Sequence, residues 1–152
     1  MKCMGKYLVA LFVDGPNMMR KEYEFGLDHF EKVAAEYGEI RLRRIYFNPQ
    51  VRGHRPALVE AAYHHGFQPF LGFRDVDTIM TAHAVETILT RDEDLIALAT
   101  SDADFVPVLH MANERGKDTL VLLSDNCSAL QKAATYSRNM QEFVRQIRQP
   151  GT

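Results

Sequence analysis

The sequence contains little cysteine, which limits what can hold the chain together. Cys3 and Cys127 are the two cysteines among 152 residues, and with the six histidines they form no C-x-x-C pair and no zinc-ligand spacing. The pattern therefore indicates neither a disulfide framework nor a structural zinc site. Two isolated thiols are typical of a reducing compartment, so we expect a cytoplasmic protein.

Neither sign of charge dominates the composition. The chain has 18 lysines and arginines against 20 aspartates and glutamates, which gives a net charge of -2. A protein that coats nucleic acid without sequence preference depends on a strongly basic surface, so the composition argues against that class. It leaves room for a local basic patch beside an acidic site.

Long hydrophobic runs are also missing. No apolar run approaches the roughly 20 residues that a membrane-spanning helix needs. The run Tyr7–Val13 follows Lys2 and Lys6, as the apolar part of a short signal peptide would, but it ends at Asp14 with no small-residue cleavage site. We therefore expect a buried strand there, and no membrane as a partner.

Several nucleotide-binding and hydrolase motifs are absent. No G-x-G-x-x-G follows a predicted strand, and no G-x-x-x-x-G-K-[ST] occurs, which disfavours a dinucleotide enzyme and a P-loop NTPase. Ser101 follows a strand as a nucleophile would, yet G-x-S-x-G is absent. An aspartyl phosphotransferase would usually have a second acid two residues after Asp14, where this chain has Pro16.

What the chain does contain is an alternation of strands and helices. The predicted strands are Tyr7–Val13, Ile40–Phe47, Phe67–Leu71, Asp94–Thr100 and Thr119–Leu123, with helices predicted over about 27–37, 56–66, 77–91, 105–115, 128–136 and 140–147. Pro69 places the third strand at an edge of the sheet. The order predicts an α/β fold with a mainly parallel sheet of about five strands, covered by helices on both faces. We expect a single domain over residues 1–148 and a frayed tail over 149–152.

Acidic residues follow three of the predicted strands. Asp14 ends the first, Asp77 comes shortly after the third, and Asp102 and Asp104 follow the fourth. Ligands of open α/β sheets bind beyond the carboxyl ends of the strands, so we expect these acids at one edge. Carboxylates in close contact repel each other unless a cation neutralises them, and Mg²⁺ and Mn²⁺ prefer oxygen ligands. For any one of these aspartates, capping of the next helix explains the position about equally well.

The residues at these strand ends resemble the motifs of a known family. The similar motifs are Asp14-Gly15-x-Asn17, Val76-Asp77, Ser101-Asp102-x-Asp104-Phe105-x-Pro107, Gly116-Lys117 and Ser128-Ala129-Leu130. Together they resemble the NYN domain, including its LabA-like group, within the PIN-like nuclease superfamily. The resemblance extends from about Lys6 to Phe143. It implies a Rossmann-like, PIN-like three-layer sandwich.

The resemblance also implies a function and a site. It implies a ribonuclease that hydrolyses phosphodiester bonds with Mg²⁺ or Mn²⁺, acting on single-stranded RNA. The sequence leaves a homodimer open. By similarity, Asp14, Asp77 and Asp102 bind the metal and Asp104 binds or supports it. Asn17 orients Asp14 or touches the substrate, and Ser101 belongs with the substrate-contacting residues. Two ions roughly 4 Å apart would activate water and stabilise the leaving oxygen, with a one-ion mechanism as the alternative.

Some positions depart from the family pattern. Arg74-Asp75 stands where relatives often have Lys-Gly, Ser101 replaces a glycine, and His83 stands where many relatives carry an acid. Glu86, about one helical turn further, is expected near the same face, so His83 and Glu86 are additional candidate metal ligands. These departures leave a catalytically weak or inactive RNA-binding regulatory protein as the alternative function.

A run of arginines without acids lies between residues 41 and 55. Five of the 18 basic residues fall there: Arg41, Arg43, Arg44, Arg52 and Arg55. Guanidinium groups bind phosphates in a bidentate manner, so we predict that this run contacts the substrate backbone. A charged strand edge that resists aggregation is the alternative explanation.

Overall fold

Six strands and seven helices alternate along residues 5–49, 56–72 and 74–149, the part of the chain that the computed structural model describes. The strands are β1 (Tyr7–Asp14), β2 (Gly38–Phe47), β3 (Gln68–Leu71), β4 (Leu95–Ala99), β5 (Asp118–Leu123) and β6 (Tyr136–Asn139). The helices are α1 (Gly15–Met18), α2 (Leu27–Ala35), α3 (Pro56–His64), α4 (Val76–Thr90), α5 (Val106–Glu114), α6 (Ser128–Ala133) and α7 (Met140–Arg148), with a 3-10 turn, Ala103–Phe105, before α5. None of these described helices combines the length and apolarity needed to cross a membrane.

The strands form one parallel sheet in the order β3-β2-β1-β4-β5-β6. β1 and β4 lie at its centre, and all five side chains of β4 are buried, as expected of a strand covered on both faces. The predicted parallel α/β architecture is confirmed, with six strands rather than about five. Pro69 lies in β3 at the edge of the sheet, as predicted, where its missing N–H costs no ladder hydrogen bond.

The sixth strand is a correction to the sequence-based prediction. The helix predicted over 128–136 ends at Ala133, and Tyr136 instead begins β6 and pairs with Leu120 of β5. The Tyr136 ring packs at 6.1 Å from that of Tyr7 and 5.0 Å from that of Tyr37. These are contacts with residues far away in the sequence, so local spacing alone does not reveal this four-residue strand.

The side chains of β1 alternate between two cores. Val9, Leu11 and Val13 pack in the core beneath α2, α3 and α7, whereas Ala10 and Phe12 pack in the core beneath α4 and α5. Successive side chains of a strand point to opposite faces, so Asp14 continues the row of Ala10 and Phe12. It is thereby directed to the face that carries α4.

Candidate metal centre

Three aspartates converge beyond the carboxyl ends of the central strands. Asp77 lies in the first turn of α4, and Asp102 and Asp104 lie in the connection that follows β4. Each offers a carboxylate oxygen, and these three oxygens lie within 4.8 Å of one another. Asp77 and Asp102 are half-buried, while Asp104 is exposed. A group of oxygen donors this close matches the preference of hard divalent cations.

Asp14 lies beside this group and is 3% exposed. The Thr100 hydroxyl donates a hydrogen bond to Oδ2 of Asp14 at 3.0 Å, and the backbone N–H of Asn17 donates to Oδ1 at 3.3 Å. Its charge acts on Asp77, and the charges of Asp102 and Asp75 act on it. Asp14 is therefore a buried, oriented carboxylate next to the three converging acids.

Helix capping and convergence of the acids occur together in this site. Asp75 caps α4 by accepting from the N–H of Asp77 at 3.0 Å, and Asp102 caps the 3-10 turn by accepting from the N–H of Asp104 at 2.9 Å. Asp14 caps α1 in the same manner through Asn17. Each cap fixes the backbone from which the next acid projects. The caps thus hold Asp77 and Asp104 in place. Capping is therefore compatible with cation binding by these aspartates.

The geometry leaves concentrated negative charge in the site. Burial raises the pKa of Asp14 to about 6; the hydrogen bonds from Thr100 and Asn17 offset part of this rise, and the charges of Asp102 and Asp75 add to it. Burial also raises the pKa of Asp77 to about 7, with further contributions from the Asp14 charge, a hydrogen bond with Asp102, and the charges of Asp75 and Asp102. A nearby cation would reverse these shifts, because it favours the ionised form of each acid.

Asp14, Asp77 and Asp102 line an open cleft of about 400 Å³. Arg20 follows α1 and Arg74 precedes α4, and both side chains line this cleft together with Asp75. Asn48, just after β2, donates a hydrogen bond to the backbone carbonyl of Arg74 and ties the end of β2 to the start of α4. The cleft therefore combines an acidic floor with two guanidinium groups.

Gly15 explains how the chain turns out of β1 at this point. A Cβ atom at Gly15 would overlap the backbone carbonyl oxygen of Tyr46 in β2, so only glycine fits the close passage of α1 past that strand. The tight turn brings the N–H of Asn17 back to Asp14. The Asp-Gly pair in the sequence is thus a requirement of this local geometry.

Asn17 and Ser101, both predicted to contact the substrate, connect the ends of neighbouring strands. The side-chain oxygen of Asn17 accepts from the backbone N–H of Ser101 at 2.8 Å. The Ser101 hydroxyl lies 2.9 Å from that of Ser124, beyond β5, and also receives the N–H of Asp125. Both residues brace the floor of the cleft, and their contact with a substrate stays a prediction.

His83 and Glu86 do not belong to the three-acid group within the described part of the chain. Six positions along a helix amount to a rotation of about 240°, so His83 does not share the face of Asp77. Its Nδ1 lies 2.8 Å from the Tyr46 hydroxyl, and its ring packs edge-on against Phe70 at 4.5 Å. Burial and the Arg44 charge lower the pKa of His83, against a smaller opposite effect of Glu86. Their predicted role as extra ligands gains no support from this arrangement.

The arginines of β2 point to different surfaces. Arg41 pairs with Glu39 at 3.4 Å, Arg43 pairs with Glu31 at 3.3 Å, and Arg44 lies over the Phe70 ring at 5.6 Å. None of the three lines the acidic cleft. β3 pairs only with Arg44–Phe47, so Arg41 and Arg43 lie on a part of β2 that forms the edge of the sheet, and the alternative explanation of a charged strand edge stays open for them. Arg52 and Arg55, predicted with them, lie outside the described residues, as does residue 150 onward of the predicted tail.

Comparisons with known proteins agree with the fold. The model of the NYN domain family matches residues 8–141. An uncharacterized protein of Methanocaldococcus jannaschii is 39% identical over 137 residues, which are 89% of this chain and 56% of that protein, so the chain spans just over half of its relative's length. A crystal structure of a Vibrio parahaemolyticus protein of unknown function superimposes with a TM-score of 0.74 at 20% identity, covering 90% of this chain and 94% of that one. At that identity the likeness shows the fold alone.

Proposed function

This chain belongs to the NYN domain family, and from that premise we propose that it is a divalent-cation-dependent nuclease that cleaves single-stranded RNA. The family has a PIN-like nuclease fold, and the chain carries an aspartate cluster at the carboxyl end of its sheet. The observation that carries the proposal is the approach of oxygens from Asp77, Asp102 and Asp104 to within 4.8 Å. The motif order supports the LabA-like group as its place within the family.

The donor set fits Mg²⁺ or Mn²⁺. It consists of carboxylate oxygens without thiolate or imidazole, which suits hard cations rather than zinc or copper. Asp77, Asp102 and Asp104 would hold the ion, and Asp14 would add buried negative charge beside it. When bound, such an ion supplies a water nucleophile and neutralises charge on the phosphate.

The chain's own groups have distinct roles in this proposal. Thr100 and Asn17 hold the Asp14 carboxylate in one orientation through their hydrogen bonds. Arg20 and Arg74 bind phosphates that flank the scissile bond, because both line the cleft. Glu22 competes only weakly with phosphate for Arg20, because the two side chains are 3.9 Å apart and the Arg20 side chain is 50% exposed.

The alternative is an RNA-binding protein of the same fold without activity. The structure favours it in one respect, since His83 contacts Tyr46 and no fourth acid joins the group from that position. The two functions differ in one observable, which is whether RNA is shortened when a divalent ion is present.

The test uses end-labelled single-stranded RNA and DNA with Mn²⁺, Mg²⁺ or EDTA. We expect cleavage of RNA with either ion and none with EDTA. Asp77→Asn should lower the rate at least about 100-fold, since even residues that only support metal ligands are worth about 10- to 100-fold. The matched control is Asp92→Asn, an exposed aspartate that precedes β4 at the opposite end of the sheet. RNA that binds but keeps its length with both ions would establish the inactive alternative.

A further inference from the structure

A second cleft opens on the same edge of the sheet, and the proposed function does not use it. It has a volume of about 410 Å³ and lies between the segment after α1 and the carboxyl ends of β5 and β6. The lining residues that matter here are Glu22, Glu24, Phe25, Asp125, Asn126 and Gln141. A cleft of this size suits a small organic group.

Hydrogen bonds through Ser101 connect the residues of the two clefts. The Ser101 hydroxyl accepts hydrogen bonds from the backbone N–H groups of Ser124 at 2.9 Å and Asp125 at 3.2 Å. The backbone N–H of Ser101 is bound by Asn17, which lines the acidic cleft. Arg20 of the first cleft also lies 3.9 Å from Glu22 of the second. An RNA strand whose phosphate lies in the first cleft therefore passes directly beside the second cleft.

The lining of the second cleft is rich in hydrogen-bond acceptors. Glu22, Glu24 and Asp125 contribute three carboxylates and Arg145 one guanidinium, while Arg20 and Arg148 pair with Glu22 and Glu24 from outside the lining. Carboxylates accept hydrogen bonds and donate none, so they favour a ligand that carries N–H groups. Among the parts of a nucleotide, the amino groups of cytosine, adenine and guanine have this character. Uracil lacks an amino group, and its one donor at the base-pairing edge is the ring N3–H.

The second cleft also offers oriented amides, and the mostly buried Phe25 ring supports its lining. Asn139 donates to the side-chain oxygen of Asn126 at 3.1 Å, and Gln141 donates to the Ser124 carbonyl at 2.6 Å, so all three lining amides are held in place. Tyr23 stacks on Phe25 with ring centroids 5.0 Å apart, and its hydroxyl donates to Asp125 at 3.2 Å. Proteins use such oriented polar groups to bind the hydrogen-bonding edges of unpaired bases in single-stranded RNA.

We propose that the second cleft binds an amino-bearing nucleobase of the substrate strand, from a nucleotide next to the scissile phosphate. The assignment to a substrate strand rests on the proposed function. The binding of the base itself does not, because it requires neither a divalent ion nor a phosphate. The two can therefore be tested separately.

Cytidine and uridine form a matched pair of probes, because neither has a phosphate and they differ in the amino group. We expect cytidine, titrated in EDTA, to shift the side-chain amide NMR signals of Asn126 and Gln141. Uridine should bind at least about fivefold more weakly, in line with the discrimination of one base contact. Absence of any shift, or equal affinity for both nucleosides, would overturn the proposal.

Glu24 provides a variant with a matched control. Glu24 pairs with Arg148 at 2.6 Å, and Arg148 is not part of the cleft lining. Glu24→Gln and Arg148→Gln both break this ion pair, but only the first removes a carboxylate from the cleft. Cytidine affinity should fall several-fold in Glu24→Gln and stay within twofold in Arg148→Gln. An equal effect in the two variants, or none in either, would contradict the role of the carboxylate.

Cleavage assays separate this proposal from the nuclease proposal. With RNA that contains cytosine, Glu24→Gln should raise KM and leave kcat unchanged, and with RNA of uracil alone it should change neither. If cytidine binds in EDTA and no RNA is cleaved with Mn²⁺, the nuclease proposal fails and the base site stands. If RNA is cleaved and cytidine does not bind, the base site fails alone.

Discussion

Asp14 is a single residue whose burial opposes stability. Its pKa rises from 3.8 to about 6 on folding, mainly because burial disfavours the charged form. Such a rise corresponds to about 3 kcal/mol of free energy. Below pH 3.8 the residue is neutral in both states and carries no penalty; the penalty develops between pH 3.8 and 6 and is complete above that range. At neutral pH, without a cation, the carboxylate therefore destabilises the fold.

Asp14→Asn should consequently stabilise the cation-free protein. The amide keeps the shape and removes the buried charge, so at pH 8 in EDTA we expect the free energy of unfolding to rise by about 1–3 kcal/mol. Urea denaturation measures this, and the gain should vanish at pH 3.5. Cleavage of RNA should nearly disappear in the same variant. A variant less stable than the wild type at pH 8 would show that the hydrogen bonds of the carboxylate outweigh its desolvation.

The raised pKa values also predict how cation binding depends on pH. Asp14, with a pKa of about 6, and Asp77, with a pKa of about 7, must each lose a proton before the site carries its full charge. We expect Mn²⁺ affinity to be constant above pH 8 and to fall progressively as the pH drops through 7 to 5.5, because protons and the ion compete. Calorimetric titration at each pH measures this affinity. In Asp77→Asn the part of the decline centred near pH 7 should be absent, and a pH-independent affinity in the wild type would contradict the role of both acids.

At the scale of elements, the turn from β1 into α1 determines where Asp14 and Asn17 lie. Gly15→Ala would place a methyl group against the Tyr46 carbonyl, and we expect it to cost about 1–3 kcal/mol of unfolding free energy. The matched control is Gly26→Ala at the start of α2, where the nearest neighbour of a Cβ is the Asp28 side chain at 3.4 Å. That variant should stay within about 1 kcal/mol of the wild type. Equal losses in the two variants, measured by urea denaturation, would contradict a special constraint at Gly15.

Elements with strong local signals were predictable, and elements fixed by distant contacts were not. The buried apolar run of β1 and the helical spacing of the apolar residues in α2 are visible in the sequence because each carries its own local pattern. β6 has no such signal, since its four residues are positioned by the pairing with β5 and by the tyrosine cluster around Tyr136. The alternation of helices and strands in the sequence therefore predicts the layered α/β architecture, but it does not predict β6.

The residues of the candidate site also divide into those that the sequence predicts and those that it does not. Asp77, Asp102 and Asp104 were predictable because carboxyl ends of parallel strands meet at one edge, whatever the details of packing. Arg20 and Arg74 were not selected, because their approach to the acids depends on how the segments after α1 and before α4 fold back over the sheet. The predicted role of His83 gains no support, since a position in a family motif does not fix the direction of a side chain on a helix.

At the scale of the whole molecule, the net charge of -2 means that any attraction for RNA must be local. Arg20 and Arg74 line the acidic cleft, and the arginines of β2 lie away from it. The substrate's phosphates should therefore be held mainly by this pair. The second cleft, rich in carboxylates, would contribute to the choice of base and little to the general attraction.

The double variant Arg20→Gln/Arg74→Gln tests this distribution of charge. Each lost phosphate contact should lower the slope of log affinity against log salt by about 0.7 for single-stranded nucleic acid, so two should lower it by about 1.4. We expect RNA affinity to fall on the order of tenfold at low salt, with a smaller difference between variant and wild type at high salt. The control Lys6→Gln/Arg115→Gln removes the same charge from exposed residues at the opposite end of the sheet. If both double variants lose affinity and slope equally, the attraction comes from the net charge of the molecule, and the two guanidinium groups of the cleft have no special part in it.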